Sequence, residues 1–177
     1  MININSSDVF YSGKVEIKLI KDKPYKLVRK HNKSTGFFHK YILETLTGHY
    51  SIDDMIYGVR LVKTLGKEPE YLYDDLFPGA PLFGEAKVYE ASVDGDSDSY
   101  YITYNFLIPQ TFTLGKSIAG IELCNRKKEV YARVSTMDDN NNKLILDAGS
   151  NLDITWSLII SSGEDSIEKS ESDMEEI

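Results

Sequence analysis

The chain has 177 residues, 41% of them hydrophobic, and this suits one globular domain with its own core. Its one cysteine excludes an internal disulfide framework and a cysteine-rich zinc site. The net charge of −8 is concentrated at one end: residues 163–177 hold seven acidic residues against Lys169, leaving 19 basic and 21 acidic residues elsewhere, a near-neutral body with no general field to select nucleic acid or an anionic membrane.

The first residues carry neither a basic leader nor a long apolar run, and no stretch approaches the roughly 18 apolar residues of a spanning helix. A protein made and folded in the cytosol is the expectation. Residues 14–21 alternate charged and apolar side chains strictly, which predicts a half-buried strand. A turn at Asp22, Lys23 and Pro24 leads into a second alternation over 25–30, so the two form a hairpin. Eight basic side chains fall between 14 and 33. They are able to track a phosphate backbone or an acidic partner, but more often such side chains keep an exposed strand face or a sheet edge from pairing with a neighbour.

The period then changes. Phe38, Ile42 and Leu46 recur at helical spacing between Ser34 or Thr35 as cap and Gly48 as terminator, predicting a helix over about 35–47. Phe37 and Phe38 are expected to seat it on the sheet. Residues 55–62 are β-branched and aromatic, with Gly58 marking a bulge or a close approach. Residues 64–84 carry three prolines and three glycines among Tyr71, Leu72, Tyr73, Leu76, Phe77, Leu82 and Phe83. A long aromatic loop of this kind is expected to be covered by another chain. Tyr71, Tyr73, Leu76, Phe77, Leu82 and Phe83 are therefore the candidate interface.

A short strand over 86–92 precedes the aspartates 94, 96 and 98. Taken as a calcium loop starting at Asp94, the series has Ser99 where glycine is needed and Asn105 where a bidentate glutamate is needed, so a hairpin tip is the better reading. Tyr100, Ile102, Tyr104, Phe106 and Ile108 share one face of the next strand, which Pro109 closes. After a turn at 112–115, strands over 118–124 and 129–136 form a hairpin with Val130, Ala132 and Val134 inward and Tyr131 and Arg133 outward. A short strand follows over 143–146. The final strand places Leu152, Ile154, Trp156, Leu158 and Ile160 on one face. Trp156, the only tryptophan, is the expected core anchor of a central strand. The composition after 163 reads as a disordered acidic tail, so the domain is expected to span 1–162.

No residue pattern spells out a chemistry. His31, His39 and His49 lie at no ligand spacing, Cys124 has no histidine nearby in sequence and reads as a small buried side chain, and adjacent acids such as Asp53 and Asp54 do not face one substrate. No enzyme activity, metal or cofactor is expected.

The helix bearing Phe38, Tyr41, Ile42, Leu46 and Gly48 is followed by strands over 102–106, 115–123, 130–134 and 152–158, the last with the pattern Leu152, Ile154, Trp156, Leu158. This order resembles the small β-sandwich structural proteins of tailed bacteriophages, found in tails, baseplates, collars and fibre attachments. The likeness spans about 32–160. The proline-bearing loop at 69–84, the basic hairpin and the acidic tail depart from it. It implies a mainly β fold, an antiparallel β-sandwich with one packed α-helix, in a non-enzymatic virion protein assembled in the host cytoplasm with copies of itself or other virion proteins. Two other classes stand beside it. One is a glycan-binding module using Tyr71 and Tyr73 on a host surface, and the other a nucleic-acid packaging protein using the basic hairpin.

Overall fold

The structure, a computed structural model, describes residues 10–33, 35–82, 89–90, 98–161 and 174–176. It is mainly β, with antiparallel strands. β1 (Phe10–Ile20) and β2 (Pro24–Lys33) form the hairpin that the charged-apolar alternation predicts, with Ile17 opposite Val28. The first strand starts earlier than the predicted 14–21 and ends one residue short of it, at Ile20, and the second extends beyond 25–30 at both ends. On its other side β1 pairs along its whole length with β13 (Asn151–Ser161), and β13 pairs with β8 (Asp98–Ile108).

Trp156 stands in register between Val15 and Tyr104, fully buried in the middle strand of these three. The period-two face predicted for β13 is the core face: Leu152, Ile154, Trp156 and Leu158 are all buried. Gly13 belongs here because a Cβ at that position would run into Asn32 and the Trp156 indole. The first sheet is completed by β14 (Met174–Glu176) outside β2, and by β6 (Ala80–Leu82) and β7 (Tyr89–Glu90) against β8. Three residues of the acidic segment are thus described as a strand. Residues 163–173 and 177 of the predicted tail lie outside the described residues, as do 94–97 of the predicted hairpin tip, whose last two residues, Asp98 and Ser99, open β8.

The second sheet has the order β11-β10-β3-β4, from β11 (Val130–Ser135), β10 (Gly120–Asn125), β3 (Ile56–Thr64) and β4 (Glu70–Tyr71), with β5 (Phe77–Pro78) also on β3. Its inward residues Val59, Leu61, Ile121, Leu123, Ala132 and Val134 join those of the first sheet in one core. β9 (Lys116–Ile118) and β12 (Leu144–Leu146) add a small third sheet, and α2 (Gln110–Thr113) overlaps the first half of the turn predicted at 112–115. Burying each aliphatic or aromatic side chain is worth about 1.5–3 kcal/mol, against about 0–1 kcal/mol for an exposed ion pair. The shared core therefore dominates the sandwich.

The aromatic loop differs from the expectation of a long structureless excursion. β4 and β5 clip it to β3, and β6 then clips it to β8, so the chain passes from one sheet to the other between Pro78 and Ala80. Gly58 makes this possible. A Cβ there would lie 2.6 Å from the Phe77 carbonyl oxygen, which is the close approach that a glycine inside a strand suggests.

Candidate functional site

Of the predicted interface residues, Tyr71, Tyr73, Leu76 and Phe77 are half-buried against their own domain. The Tyr71 ring lies 3.6 Å from the Arg60 guanidinium, and its hydroxyl accepts a 2.9 Å hydrogen bond from the same group. Tyr73 donates to the Phe112 carbonyl at 2.7 Å, and the rings of Tyr73, Phe77 and Phe112 meet edge to face at 5.2–5.9 Å. These aromatics close one end of the sandwich. Leu82 is placed by its backbone on β6, and Phe83 lies outside the described residues.

Large exposed apolar side chains lie elsewhere, those of α1 among them. α1 (Gly36–Thr47) starts and stops where the sequence predicts, with Thr35 as N-cap and Gly48, at φ +72°, as the left-handed C-cap. Thr35 binds the helix to the second sheet twice, through its amide to the Tyr131 carbonyl at 2.8 Å and its hydroxyl to the Val130 carbonyl at 2.7 Å. Phe38 is buried and Tyr41 stacks on Tyr131 at 5.3 Å between ring centroids. The alternation along β11 places Tyr131 outward, but it is buried and belongs to the core cluster, where its ring packs against Phe38 and Tyr41 of α1.

Here the predicted apolar stripe divides. Phe38 is covered and Ile42 half-covered, whereas Leu46 is 78% exposed, Leu43 64% and Phe37 49%. Only the first of the two adjacent phenylalanines fails to seat the helix. The reason is geometric: residues three and four apart share a helix face, so Phe38, Tyr41 and Ile42 take the inward face, and Leu43 and Leu46 rise along the flank. Tyr50, Ile52 and Met55, just after the helix, are exposed as well.

The segment after α1 is braced from below. Ser51 and Asp54 form a capping box around the 3-10 turn Ile52–Asp54, and Asp54 binds Lys127 through its carboxylate and the Tyr131 hydroxyl through its carbonyl. The Lys127 ammonium and the Ser51 donors hold the Asp54 carboxyl well below the usual carboxylate range, and Asp54 in turn raises the Lys127 ammonium. A cleft of about 130 Å³ opens between these elements, lined among others by Lys40, Glu44, His49, Asp54, Lys127 and Glu129. Its charges answer one another. Lys40 pairs with Glu44 at 3.5 Å, Lys127 with Asp54, and Glu129 accepts from Asn125 at 2.6 Å. Of these, the Lys127–Asp54 contact ties the segment after α1 to the turn between β10 and β11.

One buried charge group escaped the sequence reading. Glu122 on β10 is completely buried on the outward face of the second sheet, between Arg60 of β3 at 2.9 Å and Arg133 of β11. Arg133 Nε also donates to it at 2.7 Å. The available signal was a lone glutamate at the centre of an otherwise apolar strand, with an arginine in each strand that flanks it. Cys124, two residues on, is buried as predicted, and burial pushes its thiol up to about 12.

His31, His39 and His49 are not brought together. Among the described residues no group of three or more His, Cys, Asp or Glu side chains is placed to hold a metal ion, and no helix is long and apolar enough to cross a membrane. Compared with protein-family models, curated proteins and solved structures, the chain matches none.

Proposed function

We propose that this chain is a non-enzymatic assembly protein of the tailed-phage virion, docking through the apolar ridge of α1 on copies of itself or on adjacent tail, collar or capsid proteins. The observation that carries the reading is the exposure of Leu43 and Leu46, neighbours on one flank of a helix whose base is pinned at Thr35, Tyr41 and Asp54. Large exposed apolar surface beside polar residues marks protein contact. A ridge held in place beforehand loses little freedom on docking, so more of its burial is retained as affinity. The virion setting rests on the resemblance of the helix and strand patterns to phage sandwich proteins.

Within this reading the contact moves from the aromatic loop to α1. Tyr71, Tyr73 and Phe77 already pack inside their own domain, and the hydroxyls of both tyrosines are engaged there. For the same reason neither tyrosine supports a glycan platform. The basic hairpin supports nucleic-acid binding no better, since Lys14 and Arg29 both lie near Glu16 and Lys30 donates to the Met137 carbonyl. Mass spectrometry of purified phage particles tests the proposal. The expected result is the chain at a defined copy number, with the Leu43→Glu/Leu46→Glu variant missing from the particles. A folded wild-type chain that is absent from them would overturn it.

A further inference from the structure

The outer edge of β2 carries a second kind of contact. From Pro24 to Lys33 the strand has Lys26, Arg29, Lys30, His31 and Lys33 and no acidic residue, whereas residues 163–177 hold seven acids against one lysine. The two meet in register: β14 pairs antiparallel with β2, placing Met174 opposite Val28, Glu175 opposite Leu27 and Glu176 opposite Lys26. Apolar residue thus stands opposite apolar residue at one position, and acid opposite base at another. Opposite residues share a face in antiparallel pairing and opposite charges there are favourable.

β14 has three residues, against ten in β2. A strand so short, attached at a sheet edge, belongs to the part of a fold that opens most readily. An exposed edge binds an added strand through its main chain, with side chains at alternate positions choosing the partner.

We propose that the β2 edge is a docking site for the acidic C-terminal strand, filled by the chain's own strand when it is dilute and by that of a second copy when it is concentrated. The exchange needs no new surface, because a segment that fits the edge within one chain fits the same edge of another. Its concentration dependence follows from effective concentration: a tethered strand competes at roughly millimolar strength, and a crowded assembly approaches that.

The test uses the full-length chain carrying Leu27→Cys with Glu175→Cys, oxidised with diamide across a protein concentration series and read on non-reducing gels. Directly opposite residues in antiparallel strands lie about 4.5–5.5 Å apart between Cα atoms, inside the range that a disulfide spans. Leu27 is buried, so the neighbouring pair Lys26→Cys with Glu176→Cys serves as a second variant. Circular dichroism checks that each is folded. The expected result is an intramolecular disulfide at low concentration and a linked dimer that rises at least fivefold as concentration increases. Adding Lys30→Glu to either pair, or raising the salt to molar strength, should lower the yield of both products severalfold. No disulfide in either folded variant would overturn the docking site. An intramolecular disulfide alone, at every concentration, would overturn the exchange.

Discussion

At the scale of single residues, Glu122 shows how burial changes the meaning of a charge. Two guanidiniums face one fully buried carboxylate, so removing the carboxylate leaves two positive charges in a poorly solvated place. Loss of one partner from a buried ion group costs about 3–5 kcal/mol. Arg133 keeps about a third of its side chain in water, which places Glu122→Gln near the lower end of that range. Urea unfolding should show this loss, and a much smaller one for the combined Arg60→Met/Glu122→Leu/Arg133→Leu variant, which removes the charges together. Gly58→Ala acts by shape instead: its methyl meets the Phe77 backbone, and overpacking of this sort costs about 1–3 kcal/mol. Chemical unfolding measures that too.

Ionisation adds a prediction of known sign. Burial pushes the Tyr104 and Tyr131 phenols from 10.0 to about 12, and the Cys124 thiol from 9.0 to about 12. Each acid keeps its proton longer in the folded chain than in the unfolded one. Stability from these groups is complete below pH 9 and falls as the pH rises from 9 to 12. Thermal melts over that interval should show a falling midpoint, and tyrosinate absorbance from these two residues should appear together with unfolding. These features differ in how far the sequence discloses them. Gly58 inside a strand announces a close approach, but the burial of Glu122 and Tyr131 depends on which side chains of other elements pack over them, and alternation along one strand reports only which side a residue takes.

At the scale of elements, α1 is the clearest case of legible boundaries and illegible orientation. Thr35 and Gly48 carry local chemistry that sets where a helix begins and ends, so the predicted span matches the observed one. How much of the helix the sheet covers is a tertiary matter. The apolar positions 38, 42 and 46 look equivalent in sequence, and only the stacking of Tyr41 on Tyr131 shows which flank is seated. Thr35→Ala should cost about 1 kcal/mol through the lost cap. Tyr131→Ala should cost about 3–5 kcal/mol as a buried aromatic truncated, and it should detach the segment. Hydrogen exchange separates the two outcomes: Tyr131→Ala should release the amides of 36–48 while leaving β13 protected. The loop at 64–84 is the converse case, since strands of two and three residues leave no periodic signal and their pairing partners are distant in sequence.

At the scale of the whole molecule, the sandwich was readable because its long strands β1, β8 and β13 alternate cleanly and Trp156 marks their centre. The packing of the aromatic loop was not readable, because a run of exposed aromatics and a run of aromatics packed on their own sheet have the same composition. Tyr71, Tyr73, Leu76 and Phe77 are half-buried, and Leu43 and Leu46 on α1 are exposed, so the proposed contact lies on α1 rather than on the aromatic loop. Burying Leu43 and Leu46 in a partner is worth about 1.5–3 kcal/mol for each side chain, so the loss of both should weaken association by at least tenfold.

Light scattering on the full-length chain across a concentration series tests this most directly, with wild type and Leu43→Glu/Leu46→Glu compared at equal thermal stability. The account predicts a wild-type mass that rises with concentration, or with an added virion partner, and a variant that stays monomeric. Equal association by both proteins would contradict docking through the α1 ridge, and a wild-type chain that stays monomeric alone and beside purified virion proteins would contradict the assembly role itself.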